Sequence, residues 1–137
     1  MSEMHDSANN IAYLLAEAAS DAGAKAALAI PASDSADVQV VSYAQLASAA
    51  AQVQRHVAAL GVERGDRVAL SMPNVALMPA LYYGIVAAGA ICVPLNPLLS
   101  GAELEYHLRD SGAKVLFAFA GTRLASEASS TVPVKNG

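Results

Sequence analysis

Few residues in this chain have the types and spacing that chemistry needs. The stretch "GVERGDRVALSMPN", Gly61 to Asn74, sets two glycines and an acid beside an apolar run, as a phosphate-holding loop would. Its order is wrong for that role. Phosphate loops lead from a strand into a helix, so that the helix N-terminal amides face the anion. Here the glycines follow a helical pattern and precede a strand-like one, where the helix dipole repels phosphate. No Gly-Lys-Ser or Gly-Lys-Thr occurs, and no G-x-G-x-x-G follows a strand. The stretch reads as a corner. Gly61 ends a helix in left-handed geometry, Val62 folds back on that helix, and Gly65 with Asp66 turns the chain into a strand.

The other reactive side chains are scattered. His56 and His107 fall on different helices, and His5 lies in a polar N-terminal stretch. None has a Glu-x-x-His or His-x-x-x-His partner, so no metal site is expected. Ser71 and Ser111 lack the G-x-S-x-G elbow of hydrolases. Glu103 and Glu105 sit two apart on a helix and face different ways. Cys92 lies in an apolar run, where burial raises a thiol pKa and quiets it. No catalytic residue is assigned.

The elements that would position these groups are legible from apolar periodicity. Asn9 or Asn10 caps a helix whose Ile11, Leu14, Leu15 and Ala18 form one face, with a stop at Gly23. "AALAI" and "VQVVS" read as two strands around the turn "PASDSAD", a separate hairpin or sheet edge. "SYAQ" has capping-box spacing and opens a helix to Leu60, with Leu46, Val53, Val57 and Leu60 inward. "RVALSM" is a strand. A helix capped by Asn74 and stopped at Gly89 follows, with Pro79 near its start. "AICVPL" is a strand, "SGAE" caps a helix ending at Gly112, and "KVLFAF" is the next strand. Short links and uncharged strands favour parallel pairing. The fold class is α/β, a three-layer βαβ domain with a mostly parallel sheet. Residues 1–9 are expected as a flexible tail, 10–122 as the domain, and 123–137 as a polar end holding a short helix.

Composition narrows the function classes. The 137 residues are 55% hydrophobic and 15% charged, which argues against disorder. Net charge is −4 with no basic block, so nucleic acid is not a partner. A single cysteine excludes a disulfide framework and points to a reducing, cytoplasmic setting. Val75 to Leu95 nearly reaches the ~20 apolar residues of a membrane span. Pro79, Gly89 and "PLNP" interrupt it, and no Lys or Arg closely flanks it, so no transmembrane segment is expected.

One positional argument yields candidates. In open parallel sheets, ligands gather beyond the carboxyl ends of the strands. Asn74, Asn96 and Thr122 stand at those ends. Asn74 serves equally as a helix cap and Asn96 as a turn former between two prolines.

In order, "VSYAQL", "GVERGDRVALSMPN", "IVAAGAICVPLNP" and "ELEYHLRDSGAKVLFA" resemble the N-terminal core motifs of the AMP-forming acyl-CoA synthetases, over residues 40 to 118. The domain would then be the first N-terminal subdomain of such an enzyme. The resemblance implies ATP, Mg²⁺ and CoA as cofactors of the parent enzyme, a carboxylic acid such as a fatty acid as its substrate, and the remaining ligase domains as partners. The family's Pro-Lys phosphate loop, its ATP- and magnesium-holding segment and its catalytic lysine would fall beyond Gly137. In the family's turn, Asp66 and Arg67 look structural. The fragment alone is therefore expected to be inactive and to bind no cofactor. Bare apolar surface would make it self-associate. The alternative is a non-enzymatic stand-alone or split-gene interaction module.

Overall fold

The computed structural model describes residues 10–32 and 36–120. Thr122 and the segments expected at 1–9 and 123–137 lie outside them. Helix α1 (Ala12–Ala22) leads into β1 (Ala26–Pro31) and β2 (Val38–Ser42). These two strands pair antiparallel in a sheet of their own, as the hairpin reading expects. Helix α2 (Tyr43–Ala59) then begins a second unit: β3 (Arg67–Ser71), α3 (Leu77–Ala87), β4 (Ile91–Leu95), α4 (Gly101–Ser111) and β5 (Val115–Ala118). Strands β4 and β5 both pair parallel with β3, giving the order β4-β3-β5. The three strands begin at Arg67, Ile91 and Val115, one every 24 residues.

The layers follow from the period-two alternation of β3. Val68 and Leu70 face α2 and α3, where they pack with Val57, Leu81 and Ile85. Ala69 faces the other way and packs with Leu104 and Leu108 of α4. The central strand is buried on both faces, which is why it carries no charge between Val68 and Ser71. The three-layer α/β architecture is thus present. A third cluster of Leu15, Leu46, Ala50 and Ala80 joins α1 to α2 and α3.

Both capping boxes form. The Ser42 hydroxyl accepts from Gln45 N at 3.2 Å while Gln45 accepts from Ser42 N at 2.9 Å. The Ser100 hydroxyl accepts from Glu103 N at 3.4 Å, and Glu103 Oε2 accepts from Ser100 N at 2.8 Å. These bonds favour the charged form and hold the Glu103 carboxyl below its usual range.

Three local expectations change. On α1 only Leu15 is buried, and Ile11 and Leu14 are exposed, because this helix rests on α2 and α3 along a narrow stripe. On α2, Leu60 lies past the last helical residue and is exposed, while Ala50 is buried in its stead. Gly84 of α3 explains the second change. A Cβ there would overlap the Val53 side chain and lie 2.7 Å from Ala50 O, so the two helices meet at a glycine. Finally, α3 starts at Leu77 with no side-chain cap, so Asn74 does not cap it. Pro79 is its third residue, where the backbone N–H has no intrahelical acceptor to lose.

Candidate functional site

The two ends of the parallel sheet are built from different chemistry. At the amino end, helices stop and strands begin. Gly61 takes φ 78°, and Val62 N donates to Val57 O at 3.4 Å, closing the helix with a residue that joins the core. Asp66 binds the turn: its Oδ2 accepts from Glu63 N and from Lys114 Nζ, both at 2.8 Å. The Lys114 bond is the first cause, and the Glu63 amide the second, holding the Asp66 carboxyl below its usual range. Arg67 donates to Ser111 O at 2.8 Å, Gly65 O at 3.1 Å and Gly112 O at 3.3 Å. The Ser111 and Gly112 carbonyls at the α4 terminus lack helical partners, and the guanidinium supplies them. Asp66 and Arg67 therefore tie β3 to β5 and α4, in the structural role expected of them.

At the carboxyl end the links are short, proline-bearing and apolar. Asn74 is exposed in the β3–α3 link. Asn96 is exposed in the β4–α4 link, where its Oδ1 accepts from Leu98 N at 2.9 Å and its carbonyl from Leu99 N at 3.2 Å. Asn96 thus forms the turn, while its amide nitrogen faces outward unused among the described residues. Leu77 and Leu98 beside them are exposed, Leu98 at 88%. Beneath these links lies Ser71, the last residue of β3, 1% exposed. Its hydroxyl has no hydrogen-bond partner among the described residues. Sequence reasoning weighed Ser71 only as a nucleophile. Its signal was a lone hydroxyl ending an otherwise apolar strand.

The remaining candidates stay apart. His56 sits against the Phe117 ring at 6.3 Å, and His107 beside Tyr106 on α4. No cluster of three or more metal-ligating side chains occurs among the described residues. Burial lifts the Cys92 thiol to about 11, so it is protonated and inert at neutral pH. Among the described residues, shallow grooves include one of about 400 Å³ beside Tyr13, Arg64 and Gly89 and one of about 500 Å³ over Tyr106 and Arg109. Neither includes Asn74 or Asn96. Among the described residues no helix is long and apolar enough to cross a membrane.

A nucleotide's phosphates do not fit these residues. Among the described residues, the four glycines with positive φ, at 61, 65, 89 and 112, lie at the amino end, where helix carbonyls point. At the carboxyl end the α4 N-terminus is already occupied by Ser100 and the Glu103 carboxylate. The α3 N-terminus loses a donor to Pro79.

Known proteins share both the sequence and the fold of this chain. The family model of the AMP-binding enzyme matches residues 15–136. The long-chain-fatty-acid–CoA ligase FadD13 of Mycobacterium tuberculosis is 43% identical over 82 residues, covering 60% of this chain and 16% of that ligase. A long-chain-fatty-acid–CoA ligase of Escherichia coli O157:H7 is 51% identical over 57 residues, covering 42% of this chain and 10% of its own length. The crystal structure of the N-terminal domain of FACL13 from M. tuberculosis superposes with a TM-score of 0.80 at 33% identity, over 91% of this chain and 31% of that one. The anthranilate CoA ligase AuaEII in complex with anthranoyl-AMP superposes at 0.79 and 31% identity, over 91% and 23%. This chain belongs to the AMP-binding enzyme family and corresponds to an N-terminal part of an AMP-forming acyl-CoA synthetase.

Proposed function

We propose that this chain is the opening subdomain of an acid–CoA ligase that works in the cytoplasm and contributes scaffold rather than reacting groups. Such a ligase joins a carboxylate to ATP, giving acyl-AMP and pyrophosphate. CoA thiolate then displaces AMP to give the thioester. ATP, Mg²⁺ and CoA belong to that whole enzyme. The two fatty-acid ligases among the relatives favour a fatty acid as substrate, while the anthranilate ligase shares the fold to the same degree.

The observation that carries this reading is the family match across 15–136, set on a parallel sheet whose described residues offer no phosphate cradle. The chain's own residues hold strands and helices in register and offer Asn74, Asn96 and, outside the described residues, Thr122 at the strand ends. Alone, the chain binds no nucleotide and self-associates through its exposed apolar residues. The test is acid-dependent ATP–pyrophosphate exchange in two samples. The purified 137-residue chain is expected to give none. FadD13 of M. tuberculosis carrying this chain in place of its own matched segment is expected to retain exchange. Exchange by the chain alone, or a folded but inactive chimaera, overturns the proposal.

A further inference from the structure

Each of the three parallel strands is followed, at its carboxyl end, by a large apolar side chain that reaches solvent. Leu77 after β3 is 50% exposed, Leu98 after β4 is 88% exposed and Phe119 after β5 is 38% exposed. Scattered exposed leucines are ordinary, so exposure alone does not mark this end; Leu98, at 88%, is the most exposed of the large apolar side chains among the described residues. The amino end of the same sheet is closed by the Asp66–Lys114 pair and the Arg67 bonds. Leu60 and Ile91 are exposed at that end too, at 49% and 53%, so the two ends differ in their polar closure and in the near-complete exposure of Leu98 rather than in apolar exposure as such.

Ser71 supplies a second observation. Its buried hydroxyl ends the central strand directly under this rim, opposite Leu95 and Ala118 in register, and has no partner among the described residues. An unpartnered buried hydroxyl is costly, and native structures leave few of them. The length of the relatives identifies what arrives. The chain spans 16% of the FadD13 ligase and 31% of the solved N-terminal domain, so most of a ligase domain lies outside it.

We infer that the carboxyl-end rim of Leu77 and Leu98 is the surface on which the rest of the ligase packs. Its occupant is an apolar face of the remaining ligase domain, bordered by groups that meet Asn74 and the free amide nitrogen of Asn96. This rests on the reading of the chain as a ligase subdomain. The rim buries its leucines in the assembled enzyme and leaves the fold of the isolated chain indifferent to them.

The test uses that chimaera and the intact 137-residue chain in parallel, each with Leu77→Asp and Leu98→Asp, singly and together. In the chimaera the double variant would set unpaired carboxylates in an apolar interface. Exchange activity or soluble yield is expected to fall on the order of tenfold or more. In the isolated chain the melting temperature is expected to move by no more than about 2 °C. Leu60→Asp, at the amino end and 49% exposed, is the control and leaves the chimaera active. An inactive chimaera before any of these substitutions defeats the ligase reading itself. An active chimaera that tolerates the double variant overturns the interface. So does an equal loss of melting temperature in the isolated chain, or a loss of activity with Leu60→Asp. If the chimaera is untouched while the isolated chain passes from dimer to monomer, the rim belongs to a second copy and the inference fails.

Discussion

The two ends of the β4-β3-β5 sheet carry the same strands and opposite construction. At the amino end every turn is bound by named polar contacts: Asp66 to Glu63 and Lys114, Arg67 to three carbonyls, Gly65 N to Gly89 O at 2.9 Å. At the carboxyl end two prolines, Pro73 and Pro97, set the links and apolar side chains face outward. On the inference above, one end is complete by itself and the other is completed by the rest of the ligase. The difference teaches where stability and function separate. Substitutions at the amino end should act on the isolated fold. Those at the carboxyl end should act on what the fold joins.

The comparison can be broken or sharpened by measurement. The scale is set by a site in neither end. Gly84→Ala would push α2 off α3, and overpacking of this kind costs about 1–3 kcal/mol or more. A thermal melt should show the largest loss here, and a fall smaller than that of Arg67→Ala would mean the helix contact is looser than it looks. Arg67→Ala removes three hydrogen bonds from a half-buried guanidinium and is expected to cost about 2 kcal/mol in urea denaturation. No change would sink the claim that the amino end is closed by polar bonds.

Acid gives the next effect. The folded Asp66 carboxyl sits below its ordinary value near ~3.9, so its contribution is full above that pH and is lost as pH falls through the lower folded value. Asp66→Asn should flatten the acid side of the stability curve, and an unaltered curve argues against the pair with Lys114. The smallest effect belongs to the carboxyl end. Ser71→Ala removes a hydroxyl with no partner, so the isolated chain should be unchanged or up to about 1 kcal/mol more stable. A clear loss of melting temperature would show that the hydroxyl already has a partner.

Much of the fold was legible because it depends on local signals. The capping boxes at Ser42 and Ser100, the helix stop at Gly61 and the uncharged strand at Val68–Ser71 each follow from residue type and spacing. What escaped depends on neighbours distant in sequence. The exposure of Ile11 and Leu14 could not be read from periodicity, since it is set by how narrow a stripe α2 and α3 offer. Nor could the burial of Ala50, which waits on a glycine more than thirty residues away. At the candidate site, Asn96 was readable as a turn former and is one. Asn74 as a helix cap was readable too, but the helix starts three residues later. The isolation of the Ser71 hydroxyl was not, because satisfaction of a buried group is a property of the whole surrounding shell.

The strand order also sets a sequence of events. A chain made from its N-terminus delivers β3 first, and β3 is the strand that both others need. Strand β4 arrives one 24-residue unit later and takes one side; β5 arrives after another and takes the other. Each newcomer pairs with a strand already present, while β3 keeps one edge open until β5 is made. That open edge on β3 lasts for one further 24-residue unit, and an unpaired edge of this kind is where an unfinished chain associates with others.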